Sequence, residues 1–362
     1  MSMRRVFGTG STDIVPVSAH FIEHVYDRAS RTATKEVIVG HDTKVFLSRD
    51  LGATWRAQDI GAATGGKPIS RSFTLGNGDR IIQTSYPFQM FVVDSEYRLK
   101  ANCVAGLYNW HGTWSIDQSS SGTIMYGEYF GTPERIHIWR STDGGLTWHA
   151  SLSCDGPASA TPSIRHFHTC QADPFQEGRW IASSGDSGSQ NKIWLSENDG
   201  VTWSEVGPPT LRGNYNLTDP RRAYRFVALQ FSQDHIIWPT DDTLGQRKAA
   251  LIRASREDPS NIEIVDWFGP NEMRALVKID TTRSLAISEA KLDPSLVDLF
   301  LVEGWDRITP LPGIENPSGQ KTAMTRTMTS KAARDGVFFS FDEIGLSGTR
   351  SRFARWQMLP DL

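Results

Sequence analysis

The chain has 362 residues, with 38 Lys and Arg against 41 Asp and Glu, a net charge of −3 at pH 7. That balance supplies no basic field for nucleic acid, whose phosphates need a Lys/Arg stripe, and no apolar run is long enough to span a bilayer. Arg4 and Arg5 have no apolar stretch behind them, so no signal peptide is expected and the chain reads as cytoplasmic as written.

The first stretch, 13 to 47, alternates short apolar runs at 14–17, 21–22, 37–39 and 45–46 with polar turns, which predicts strands throughout. The scheme recurs over 70–100, where 76–79 reads as a turn and 80–84 as the strand leaving it. From 108 to 148, residues 119–122 read as a turn and 123–129 as a strand. Apolar segments around 165–174, 179–188, 224–231, 235–243, 283–288 and 336–341 continue the pattern, with no long helical periodicity between them. Cys103, Cys154 and Cys170 are odd in number and widely spaced, which predicts free buried thiols rather than a disulfide framework.

One turn is written three times. Ser48, Asp50, Gly52, Thr54 and Trp55 are repeated as Ser141, Asp143, Gly145, Thr147 and Trp148, and again as Ser196, Asn198, Gly200, Thr202 and Trp203. A short carboxylate or amide at the third position can accept bonds from the turn's own backbone, and the Trp can fold over the turn. The pattern resembles the Asp-box, Ser-x-Asp-x-Gly-x-Thr-Trp, the BNR repeat of sialidases and related β-propellers. The third copy departs by carrying Asn198 for Asp. The resemblance implies an all-β fold, a β-propeller of four-stranded antiparallel blades with Asp-box hairpins on the rim, so Asp50, Asp143 and Asn198 are expected to be structural.

Ser141 and Ser196 are 55 positions apart and Ser48 and Ser141 are 93 apart. The second interval holds two units, with 92–97 as a worn copy between them. At roughly 50 residues per blade the chain divides into about seven blades, with six as the alternative, in a single domain over 1–362. The N-terminal strand is expected to pair into the last blade, closing the ring beside residues 320–362.

Candidate chemistry lies where polar clusters recur. Trp110 and His111 precede Glu128 and Tyr129; Arg165, His166 and His168 precede Asp186; Tyr224 and Arg225 precede Asp241 and Asp242. His111 to Glu128 is 17 positions, His168 to Asp186 is 18, and Arg225 to Asp242 is 17. Such an offset returns an antiparallel chain to the same height one strand over, so each pair is expected to meet at the channel mouth. His166 and His168 alternate with Phe167 and share one face of a strand; they form either a catalytic or substrate-binding pair or half of a metal site. The reading adopted is catalytic, with no metal and no cofactor.

Over about 105–245 the succession Gly-Glu-Tyr, Asp-box, Arg-His-x-His, Gly-Asp and Thr-Asp is similar to bacterial Asp-box propellers associated with polysaccharide metabolism. The wider class implies glycan work, by hydrolysis or by β-elimination, and Arg165 and Arg225 predict a substrate with an acidic sugar whose carboxylate they recognise. The Arg-Ile-Pro motif of sialidases is absent, although Arg165, Arg225 and Arg326 could supply an arginine triad. Hydrolysis needs two carboxylates, for which Glu128, Asp186 and Asp242 are available. Elimination from a uronate needs a base, an acid and a cation beside the carboxylate; His166 or His168, Tyr129 or Tyr224, and Arg165 or Arg225 fill those roles. Catalytic candidates are therefore His166, His168, Glu128, Tyr129, Asp186 and Asp242, and substrate-binding candidates Arg165, Arg225, Trp110, His111, Tyr224 and Asp241. The alternative is a non-catalytic propeller binding a glycan or a protein through the same funnel.

Overall fold

The computed structural model describes residues 3–6, 21–27, 32–50, 54–84, 89–103, 115–129, 133–161, 163–186, 188–213, 217, 219–244, 248–278, 282–288, 296–315, 321–325, 337–345 and 348–358; side chains are described within 36–311, apart from 41, 103, 277 and 296–297. The strands assemble into seven sheets, six of them four-stranded and antiparallel. The first takes Phe21–Asp27, Thr32–His41, Lys44–Ser48 and Arg56–Asp59. Ile69–Thr74, Arg80–Thr84, Met90–Val93 and Leu99–Cys103 form the second. The third holds Ile116–Gln118, Ile124–Gly127, Arg135–Ser141 and His149–Asp155. The fourth holds Phe167–Ala172, Trp180–Ser184, Lys192–Ser196 and Ser204–Glu205.

The fifth sheet departs from the expected four strands. Gln230–Phe231, His235–Pro239, Ala250–Ser255 and Asn261–Trp267 run antiparallel, and Thr210–Arg212 is added parallel to the last of them. Pro208 and Pro209 precede that strand; without N–H donors they cannot extend the fourth sheet's outer ladder, and the chain pairs with its neighbour's edge instead. Met273–Lys278, Arg283–Ser288, Leu296–Glu303 and Arg307–Glu315 make the sixth sheet. The seventh joins Lys321–Thr325, Val337–Gly345 and Gly348–Met358 to the N-terminal strand Met3–Val6, with Met3 opposite Met358. The arrangement is a β-propeller closed by its first strand, as the edge-strand argument requires.

Burial separates centre from rim. Strands such as Arg80–Thr84 and Trp180–Ser184 are buried at every position, whereas outer strands such as Arg56–Asp59 and His149–Asp155 are largely exposed. These strands are covered on both faces by adjacent sheets, so burial shows no alternation along them, and it extends to polar residues such as Arg80, Gln83, Ser183 and Ser184. Between the third and fourth sheets the core gathers Ile136, Ile138, Phe167, Cys170 and Trp180. Between the fourth and fifth it gathers Ile181, Tyr224, Phe226, Trp238 and Ile252. Cys154 and Cys170 are buried free thiols, the Cys103 side chain lies outside the described ones, and burial pushes the Cys154 thiol up to about 12.

The repeated turns connect third and fourth strands. Asp143 accepts from Thr147 N at 2.9 Å, Thr147 Oγ1 at 2.6 Å and Ser141 Oγ at 2.8 Å. Asp50 and Asn198 occupy the same position, accepting from the backbone N–H of Thr54 and Thr202, both at 2.8 Å. The worn copy retains the device: Asp94 accepts from the N–H of Glu96 and Arg98, both at 2.9 Å. Asp143→Ala removes an acceptor from several donors of a partly solvated turn and is expected to destabilise the protein by about 1–2 kcal/mol, read as a lower urea midpoint with unchanged slope.

Candidate active site

Four consecutive sheets, the third to the sixth, send polar side chains to one face. Each contributes the residues that enter its first strand or leave its second. In the fourth sheet Phe167 pairs with Ser184 but Thr169 pairs with Ser183, so His168 is the extra residue of a β-bulge. The sixth sheet repeats this with Met273 opposite Ser288 and Ala275 opposite Ile287, making Arg274 the extra residue. Bulges re-aim side chains at sheet ends, and here they turn an imidazole and a guanidinium toward the same place.

Asp186 is the hub. Its Oδ2 accepts from Arg165 NH1 at 2.6 Å, and its Oδ1 lies 3.2 Å from His168 Nε2, 3.3 Å from His166 Nε2 and 3.8 Å from Arg225 NH2. The two imidazole Nε2 atoms are 2.8 Å apart, and both rings are buried. Tyr129 stacks on His166 with ring centroids 3.9 Å apart. Gly185 fixes this geometry. Its φ is +87° and an added Cβ would lie 2.0 Å from Gln190 O, so no other residue can turn the chain there. Gly127 is the second required glycine, since a Cβ would fall 2.4 Å from Phe167 Cβ where the third and fourth sheets meet.

A second acid group adjoins the hub. Arg225 Nε is 3.6 Å from Asp241 Oδ2, and Arg274 NH1 is 2.5 Å from Asp241 Oδ1. Arg222 holds Asp242 through two nitrogens at 2.9 and 2.5 Å, and Glu272 lies 3.5 Å from Arg274. Four guanidiniums, of Arg165, Arg222, Arg225 and Arg274, thus face four carboxylates, of Asp186, Asp241, Asp242 and Glu272. The backbone supporting them repeats: Gly185 N donates to His166 O at 3.0 Å, and Asp241 N to Arg225 O at 2.8 Å.

Burial alone would raise the Asp186 carboxyl, but the hydrogen bonds of His166 and His168 outweigh it and hold the acid well below the usual range. Burial dominates at His168 and depresses the imidazole to about 3, against the opposing pull of Asp186. The Tyr129 hydroxyl is pushed up, first by burial and then by Asp186.

Not every candidate joins this group. The Glu128 carboxylate points back along the third sheet, accepting from Trp139 Nε1 at 2.6 Å and His137 N at 2.8 Å. Tyr224 is buried in the core with its hydroxyl donating to Gly207 O at 2.9 Å; it is the last residue of the 3-10 turn Pro220–Tyr224, and Arg225 follows as its cap. Trp110, His111 and Arg326 lie outside the described residues. Arg222, Arg274 and Glu272 were not singled out from the sequence. Arg222 sits three positions before Arg225 in a short 3-10 turn whose Asp219 caps Arg221 N, and Arg274 depends on a bulge that no residue pattern announced.

Burial raises the Glu128 carboxyl to about 7, with bonds from Trp139 and His137 opposing it. The folded state therefore keeps the proton where the unfolded chain has lost it, and this group's contribution to stability falls as pH rises from about 4.5 to about 7, by about 3 kcal/mol. Glu128→Gln is expected to flatten the dependence of unfolding free energy on pH across that window. An unchanged slope in the variant would contradict it.

No protein-family model matches the chain, and no curated protein matches it. Among solved structures it is similar to YCF48 from Cyanidioschyzon merolae, with a TM-score of 0.60, 11% identity and all of both chains covered. It is also similar to virginiamycin B lyase from Staphylococcus aureus, with a TM-score of 0.55, 10% identity and 99% of each chain covered. An ancestral GH74 enzyme aligns with 93% of this chain and 46% of its own length, at 11% identity and a TM-score of 0.52. The fold class is that of β-propellers. At such identities the likeness carries the fold and not the chemistry.

Proposed function

We propose that the protein is a carbohydrate-active enzyme of the Asp-box, sialidase-like kind that cleaves a glycosidic bond in an acidic polysaccharide, by β-elimination. The observation that carries this reading is the convergence of Arg165 and Arg225 with His166, His168 and Tyr129 around Asp186. Scattered polar groups with only aromatics at the mouth would have suited a binding platform; hydrogen-bonded convergence suits catalysis.

Elimination is favoured over hydrolysis by the state of the carboxylates. Asp242 is clamped by Arg222, Asp241 lies between Arg225 and Arg274, and Glu128 is turned toward Trp139. Asp186 alone adjoins the imidazoles, whereas a hydrolase needs a pair. Arg165 and Arg225 take the uronate carboxylate, which draws charge as the proton on the adjacent carbon leaves. Tyr129 and the imidazoles are the groups at hand for that proton and for the departing oxygen. A bond from carbon to oxygen breaks, a carbon–carbon double bond forms, and the abstracted proton is balanced by the one given to the leaving group.

The test is incubation with a panel of acidic polysaccharides, following reducing ends and ultraviolet absorbance together. The expected result is both signals from at least one polyuronate. Reducing ends without absorbance would replace elimination by hydrolysis, and neither signal from any member would leave the binding platform as the better reading.

A further inference from the structure

We propose that His166, His168 and Asp186 form a binding site for a single divalent transition-metal ion, with Zn²⁺ the best suited. His166 Nε2, His168 Nε2 and Asp186 Oδ1 form a triangle with sides of 2.8, 3.2 and 3.3 Å. These three residues are the group of potential metal ligands found among the described residues. Ligands about 2.1 Å from one ion stand about 3.0 Å apart in octahedral and about 3.4 Å apart in tetrahedral geometry. The triangle has the size that one small cation requires.

Hydrogen bonding alone leaves this triangle unsatisfied. If both imidazoles carry their proton on Nε2 and donate to Asp186, two N–H groups oppose each other across 2.8 Å. If His168 donates to His166 instead, the His166 lone pair faces the Asp186 oxygen at 3.3 Å. One edge always sets like against like. An ion at the centre turns all three lone pairs into ligands, and each neutral imidazole then carries its proton on Nδ1 instead of Nε2. The His168 Nδ1 proton would then face no partner, since that atom has none; one missing hydrogen bond stands against three metal bonds.

Two imidazoles with one carboxylate suit Zn²⁺ over Mg²⁺ or Ca²⁺, which prefer oxygen. Arg165 supports the arrangement by holding Oδ2 at 2.6 Å, leaving Oδ1 for the ion. Arg225, 3.8 Å from Oδ1, opposes it. The surrounding charges already cancel, four against four, so a divalent ion leaves the site positive and its remaining positions call for an anion. A sugar carboxylate fits there, a point that rests on the proposed function, whereas the metal site does not; with the ion bound the imidazoles are ligands and the proton transfer falls to Tyr129.

The full-length chain, stripped with EDTA and dialysed, should be titrated with zinc chloride by calorimetry, with metal content measured after gel filtration. One zinc per chain is expected. His168→Gln and Asp186→Asn should each weaken binding by at least about 100-fold, beyond the range for loss of a supporting residue, while circular dichroism confirms folding. His149→Gln, on an exposed outer strand, should bind as the parent does. Co²⁺ in place of zinc should give visible absorption that both site variants lose. Failure to retain zinc, or retention undiminished in both site variants, overturns the site. Repeating the titration with galacturonate present should tighten zinc binding; zinc bound equally with and without it keeps the metal site and counts against the acidic-sugar reading.

Discussion

Tyr129→Phe is expected to lower the rate of acidic-polysaccharide cleavage by about 10²–10⁴-fold, the range associated with losing one positioned proton-transfer group. The substitution removes only the hydroxyl. The ring that stacks on His166 at 3.9 Å remains, so the unfolding midpoint should stay close to that of the parent. That separation of activity from stability gives the variant its value. His168→Ala would open a cavity beside His166 in a buried setting and confuse the two effects, whereas a phenyl ring fills the space the phenol held. Initial rates on the polymer identified by the substrate panel, with thermal unfolding alongside, provide the measurement. Cleavage within a few-fold of the parent would remove Tyr129 from the chemistry.

The second large effect is expected in the core. Trp180 is fully buried between the third and fourth sheets, and its Nε1 donates to Asp199 Oδ1 at 2.8 Å. Asp199 Oδ2 in turn accepts from Ser121 and Thr123 of the neighbouring sheet, both at 2.5 Å. Burial would raise this acid, and those hydrogen bonds overcome it and lower it. Trp180→Ala removes an aromatic core and one donor to a staple joining two blades. A loss of about 3–5 kcal/mol is expected. Trp180→Phe keeps most of the packing and isolates the donor, for which about 1–3 kcal/mol is expected. Urea unfolding at constant pH distinguishes these, and equal losses in the two variants would contradict the division between packing and hydrogen bonding.

The legible part of the molecule was what local chemistry dictates. The turns around Asp50, Asp143 and Asn198 announce themselves because a short acceptor, a glycine and a following Thr-Trp serve one hairpin geometry. Even the worn turn at Asp94 could be found by spacing, and it uses the same acceptor. The offset of 17 or 18 positions placed Arg225 beside Asp242 and His168 beside Asp186 because strand length and pairing are regular. Side-chain direction was harder to read. Glu128 was expected at the mouth, yet its strand ends at Gly127 and the next residue turns toward Trp139. Arg274 reaches the site only because a bulge inserts one residue into its strand, and an inserted residue leaves no periodic trace. The fifth sheet's extra parallel strand was likewise invisible, since it follows from where two prolines stop one ladder and not from any apolar pattern of its own.

The most direct measurement is a crystal structure of the Tyr129→Phe variant soaked with an oligomer of the uronic acid that the parent degrades. The sugar carboxylate should lie against the guanidiniums of Arg165 and Arg225, with the ring over Asp186 and the imidazoles. A sugar bound at the rim, or one whose carboxylate faces solvent while its hydroxyls occupy this face, would contradict the account.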